Sequence, residues 1–137
     1  MTSMPAALRS GFLLILVGLV AACSSGGGSS AAAEAPATVT DGAVTVTADD
    51  LEFDATSIEA PADETFTITL VNNDTAPHNI SIYTEEGGEE IVKGTVINEG
   101  ETTEIEVPAL EAGTYFFVCD VHPDMNGPLV VGNASSG

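Results

Sequence analysis

From Ala43 onward the chain alternates apolar and polar side chains with a period of two, in short runs rich in Val, Ile, Thr and Phe. Successive side chains of a strand point to opposite faces, so such runs suit half-buried antiparallel strands. Neither a helical apolar stripe of useful length nor an internal repeat competes with that pattern. The chain is therefore expected to be all-β. The expected strands are Val44–Ala48, Glu52–Glu59, Thr65–Asn72, His78–Tyr83, Glu90–Val96, Thr102–Val107, Thr114–Cys119 and Pro128–Val131. Turn signals separate them at Asn72-Asn73-Asp74, Glu86-Gly87-Gly88, Asn98-Glu99-Gly100 and Glu111-Ala112-Gly113. About eight short strands at this spacing, in a domain of roughly 95 residues, fit a two-sheet Greek-key β-sandwich, with a small closed barrel as the alternative.

The N-terminal part does not belong to that pattern. Arg9 supplies a positive charge, Gly11 to Ala22 is an unbroken small and apolar run, and Cys23 follows it directly. The apolar stretch of about a dozen residues falls short of the ~20 needed to span a bilayer, so it reads as an export signal. Leu19-Val20-Ala21-Ala22-Cys23 resembles a prokaryotic lipobox. Residues 1–22 are then a lipoprotein signal peptide, and Cys23 is the acylated N-terminus of an exported, membrane-anchored protein. An ordinary signal peptide cut nearby, leaving Cys23 as a thiol, is the plainer alternative. Residues 23–41, rich in Ser, Gly, Ala, Pro and Thr, lack the apolar surface to offset chain entropy and read as a linker. The folded domain is expected over 42–137.

All 21 acidic residues follow Cys23, and Lys93 is the single Lys or Arg beyond it, so the processed chain carries a formal charge of −20. Nucleic acid is excluded as a partner, because binding it requires Lys and Arg to neutralise phosphate. The acidity reads first as a solubility device, as a saline habitat would favour, and second as an attraction for cationic proteins. The run Glu85-Glu86-Gly87-Gly88-Glu89-Glu90 reads as a solvated turn before it reads as a docking patch.

With Cys23 taken up by lipid, Cys119 is a lone cysteine in an exported chain, which calls for a reason. A Cys23–Cys119 disulfide is one, but it would tie a low-complexity tether to an aromatic strand. The segment Cys119-Asp120-Val121-His122-Pro123-Asp124-Met125 offers another, since it places a thiolate, an imidazole and a thioether on one tight loop between strands. Thiolate and thioether prefer Cu(I), imidazole accepts either oxidation state, and a Cys-plus-two-His set with a weak axial Met suits copper in both. The chain has only two histidines, so His78 must complete any such site. Taken singly, Met125 reads as loop filler, His78 beside Pro77 as a turn residue and Cys119 as a buried apolar residue. Their coincidence favours a metal site of His78, Cys119, His122 and Met125.

At these residues the chain resembles the cupredoxins, the type 1 blue copper proteins, over most of Val44 to Gly132. Pro77-His78-Asn79 is similar to the first-ligand segment of plastocyanins, and Tyr115-x-Phe117-x-Cys119 to their strand entering the ligand loop. The Cys-x-x-His-x-x-Met spacing is similar to the contracted amicyanin loop, while the lipobox, linker and acidity are closer to halocyanins. The resemblance implies one copper ion cycling between Cu(I) and Cu(II), and a monomer passing single electrons between redox partner proteins without being an enzyme. It also implies that Asn79 ties the ligand loop, its backbone hydrogen-bonding the Cys119 sulfur and its side chain bracing the loop. The plain alternative for Asn79 is a polar residue at a strand edge, and Asn79-Ile80-Ser81 also matches a glycosylation sequon. The rival functions are a copper-delivery or copper-resistance lipoprotein, a cysteine hydrolase built on Cys119 and His122, and a metal-free interaction sandwich.

Overall fold

A sequence that alternates in period two should bury every second residue, and the strands do so. The structure, a computed structural model, describes residues 34–132. The expectations placed on Arg9, on the apolar run and on Cys23 lie outside those residues. The described part is all-β, with ten strands in chain order: β1 (Ala35–Thr38), β2 (Ala43–Asp49), β3 (Glu52–Phe53), β4 (Ala55–Pro61), β5 (Phe66–Asn72), β6 (Ser81–Tyr83), β7 (Glu90–Val92), β8 (Thr102–Val107), β9 (Gly113–Val118) and β10 (Asn126–Gly132). They form a six-stranded sheet in the order β1-β4-β10-β9-β6-β7 and a four-stranded sheet in the order β3-β2-β5-β8, a β-sandwich of two mixed sheets and not a closed barrel.

The core lies between the sheets. Val44, Val46 and Ala48 of β2 and Phe66, Ile68 and Leu70 of β5 point into it from the smaller sheet. Ile58 of β4, Phe117 of β9 and Leu129 and Val131 of β10 enter it from the larger one. Each Ile, Leu or Phe side chain so buried contributes about 1.5–3 kcal/mol relative to exposure. At one end of this core the rings of Phe53 and Phe117 meet with centroids 5.9 Å apart, and Cys119 follows Phe117 two residues on.

Three departures from the sequence pattern have local causes. The tract read as linker as far as Asp41 contains β1, which pairs in parallel with β4. Its Ala-Pro-Ala-Thr sequence carries no alternation signal, and an edge position is where a sheet tolerates a proline. The run Glu52–Glu59 divides between the two sheets: Phe53 pairs with Ala48 in one, whereas Ala55 pairs with Ala35 in the other. Asp54 holds the crossing point, accepting from the Thr47 N–H through Oδ1 at 2.8 Å and donating its own N–H to the Thr47 carbonyl at 3.0 Å. Finally, His78 precedes β6 and is held by an isolated bridge to Ile97, with paired backbone bonds of 3.0 and 2.8 Å. Residues 78–82 are all buried, so the alternation vanishes where both faces of the segment are covered.

Candidate metal centre

The loop between β9 and β10 is two hydrogen-bonded turns in succession. The His122 N–H donates to the Cys119 carbonyl at 3.2 Å, and the Met125 N–H donates to the His122 carbonyl at 2.9 Å. A further bond of 2.9 Å from the Cys119 N–H to the Met125 carbonyl closes the loop at its base. Each turn advances the chain three residues and reverses it, so the three-residue spacing gathers Cys119, His122 and Met125 at one end of the sandwich. The bridge to Ile97 brings His78 to the same place.

The donors converge. Cys119 Sγ lies 3.7 Å from His78 Nδ1 and 3.9 Å from His122 Nδ1, and the two ring nitrogens are 3.2 Å apart. A point equidistant from corners so spaced lies about 2.1 Å from each, within the roughly 2.0–2.3 Å that imidazole nitrogen and thiolate sulfur take to a first-row metal ion such as zinc. The residues present therefore fit a metal ion, and the soft sulfur beside two imidazoles selects within that row. Met125 is 4% exposed and packs in the same core cluster as Cys119. His78 and Cys119 are fully buried, while His122 keeps one side at the surface.

Asn79 is hydrogen-bonded to this loop. Its Oδ1 accepts the Asp120 N–H at 2.8 Å, and its Nδ2 donates to Asp120 Oδ2 at 2.7 Å, to the Gly94 carbonyl at 3.1 Å and to Ser81 Oγ at 3.2 Å. The expected bond from its backbone to the Cys119 sulfur is not formed; the groups within hydrogen-bonding range of Sγ among the described residues are the two histidine rings. Full burial leaves Asn79 no room for a glycan.

Two carboxylates at the site went unread in the sequence. Asp120 follows Cys119 and also accepts from Ser81 Oγ and from Tyr83 Oη, the latter at 2.8 Å. Burial alone would push its carboxyl up, but the bonds from Ser81, Asn79 and Tyr83 outweigh it and leave the group below the usual carboxylate range. The same contact pushes the Tyr83 phenol up to about 12, with burial adding to it. Asp74 lies behind His78, its Oδ2 3.0 Å from the ring Nε2 and 2.7 Å from the Leu51 N–H. The Leu51 N–H, the His78 ring and the Ala76 N–H hold its carboxyl below the usual range. The one signal was position, an aspartate four residues before the histidine in a turn that reads as ordinary.

A family profile described as a cupredoxin-like domain matches residues 13–131. Amicyanin of Paracoccus denitrificans is 30% identical over 97 residues, which is 71% of this chain and 71% of that protein. A solved structure of a reduced amicyanin variant superposes with a TM-score of 0.52 at 30% identity, covering 74% of this chain and 89% of the other. Auracyanin A of Chloroflexus aurantiacus, described as a blue copper protein, superposes with a TM-score of 0.58 at 26% identity, covering 71% and 99%.

Proposed function

The chain belongs to the cupredoxin family, and from that premise we propose that it is a one-electron carrier holding a single copper ion between His78, Cys119, His122 and Met125. The observation that carries the reading is the convergence of one thiolate and two imidazole nitrogens on a point at bonding distance from all three. Copper held there supplies a couple between Cu(I) and Cu(II) within reach of biological donors and acceptors.

The chain's own residues supply the rest. The two turns of the loop, the Asn79 brace and the His78–Ile97 bridge fix the donors by bonds that do not involve a metal, so they keep their places in either oxidation state. Burial of Cys119 and His78 keeps water from the sulfur, and the half-exposed edge of His122 is the natural point of electron entry and exit. Val121 beside His122 and Val96 beside Ile97 are 41% and 46% exposed, and they give this end of the molecule an apolar surface on which a redox partner can settle. A nucleophilic role for Cys119 is disfavoured, since its side chain has no exposed surface for a substrate to approach.

Copper delivery uses the same donors but needs exchange of the ion. The copper-loaded protein should therefore show fast electron self-exchange together with slow loss of copper to a competing chelator. Rapid surrender of copper with slow electron exchange would favour delivery.

We propose in addition that the protein is monomeric and rides on the outer face of a membrane through acylated Cys23. The apolar run ending at Cys23 and the polar tract after it support the anchor. A single acyl chain binds a bilayer only marginally, and in a chain this acidic, with no polybasic patch to help, stable anchoring calls for more than one. Cys23→Ala should release the protein from the membrane fraction or block its processing; normal processing with undiminished membrane retention would refute the anchor.

A further inference from the structure

His78 has two ring nitrogens with different neighbours. Nδ1 faces the donor cluster, 3.2 Å from His122 Nδ1 and 3.7 Å from Cys119 Sγ, while Nε2 faces Asp74 Oδ2 at 3.0 Å. An ionised carboxylate can only accept, so the ring proton belongs on Nε2 and the lone pair of Nδ1 is left for the cluster. A backbone carbonyl behind the ring would set the same tautomer. The carboxylate differs from it by a full negative charge.

That charge is built in and not incidental. Asp74 Oδ2 also accepts the Leu51 N–H, and its Oδ1 accepts the Ala76 N–H at 3.2 Å and the Thr75 hydroxyl at 3.4 Å. The Asp74 N–H donates to Asn72 Oδ1 at 2.9 Å, and Asn72 Nδ2 binds the Ala76 and Ile97 carbonyls. Asn72 and His78 are fully buried and Asp74 is 9% exposed, so little water screens the carboxylate from the ring. Leu51, which donates the shortest of these bonds, sits at φ 61° behind Asp50 at φ 51°. Consecutive left-handed residues without glycine are costly, and the bond to Asp74 is one of the contacts that holds them.

We propose that Asp74 is a charged positioning residue of the metal centre: it fixes the His78 ring with Nδ1 toward the donor cluster and favours the higher-charged oxidation state of the ion bound there. The proposal rests on the copper reading of the site. Asp74→Asn keeps the shape and one of the two accepting oxygens and removes the charge, and should shift the ratio of Cu(II) to Cu(I) affinity about tenfold toward Cu(I), a rise in reduction potential of about 59 mV. A purely structural role would lower stability and leave the potential alone.

Nitrogen-15 resonances of the metal-free wild type give a readout without copper or any variant, and should show His78 protonated at Nε2. A wild type that takes up copper without a thiolate charge-transfer band would defeat the copper reading itself. A wild type with that band, but with His78 protonated at Nδ1 or with an Asp74→Asn potential unmoved, would overturn this proposal alone. If Asp74→Asn does not fold, the nitrogen-15 measurement on the wild type still tests the positioning half of the proposal: protonation at Nε2 is the result expected, and protonation at Nδ1 overturns it.

Discussion

Asp120 draws its hydrogen bonds from Asn79, Ser81 and Tyr83 at once, and the effect on Tyr83 can be measured. A phenol beside a carboxylate resists losing its proton, because the phenolate would face a like charge and lose the bond it donates. Its pKa is therefore raised from 10.0 to about 12, and the stabilisation it gives is present below the unfolded value and lost as pH rises through the folded one. In an alkaline absorbance titration of the two-tyrosine chain, one phenol should ionise only near pH 12, and Tyr83→Phe should remove that phase. Persistence of the phase in Tyr83→Phe would contradict the contact. At this scale the sequence was legible where residue types are scarce. Two histidines, one cysteine and one methionine after Cys23 leave no choice of side-chain nitrogen and sulfur donors once a soft metal is suspected. Asp74 and Asp120 were illegible because each is one of 21 acidic residues, and nothing local separates an aspartate behind a histidine from one in a solvated turn.

The strands were legible wherever one face of the sheet is wet. β5 and β8 follow their alternation almost to the residue, since the same side chains that carry the signal fill the core. Where both faces are covered, as from His78 to Ile82, or neither is, as in β1, the pattern has nothing to report. The crossing at Asp54 was equally silent, because a strand that changes sheets between Phe53 and Ala55 still looks like one alternating run. Elements also depend on close approaches that only structure reveals. Gly94 lies beyond β7 with its carbonyl on Asn79, and a Cβ there would collide with the Ile80 carbonyl oxygen. Gly94→Ala should cost about 1–3 kcal/mol through overpacking, read as a lower denaturation midpoint of the metal-free domain. An unchanged midpoint would show that this segment yields easily.

For the whole molecule the sandwich is a rigid frame that delivers donors from two distant stretches of chain to one end. Along β6, Ser81 pairs with Val118 beside the site and Tyr83 with Phe116 farther from it, so the chain runs away from the metal centre toward the exposed acidic turn that follows. That turn and the first residue of β7 carry Glu85, Glu86, Glu89 and Glu90. Among the described residues the one acid–base pair within 4.0 Å is Asp74–His78, so the negative surface is relieved by dissolved ions and not by internal pairing. The fold class and the four donors could be read from the sequence, whereas the charge placed behind His78 could not. The central claim is that Cys119, His78 and His122 close around copper as a unit, and the visible and electron paramagnetic resonance spectra of the protein after Cu(II) addition test it most directly. The wild type should turn intensely coloured through thiolate-to-copper charge transfer, and Cys119→Ser should lose that colour; a wild type that binds copper and stays colourless, or a Cys119→Ser protein with the same spectrum, would contradict it.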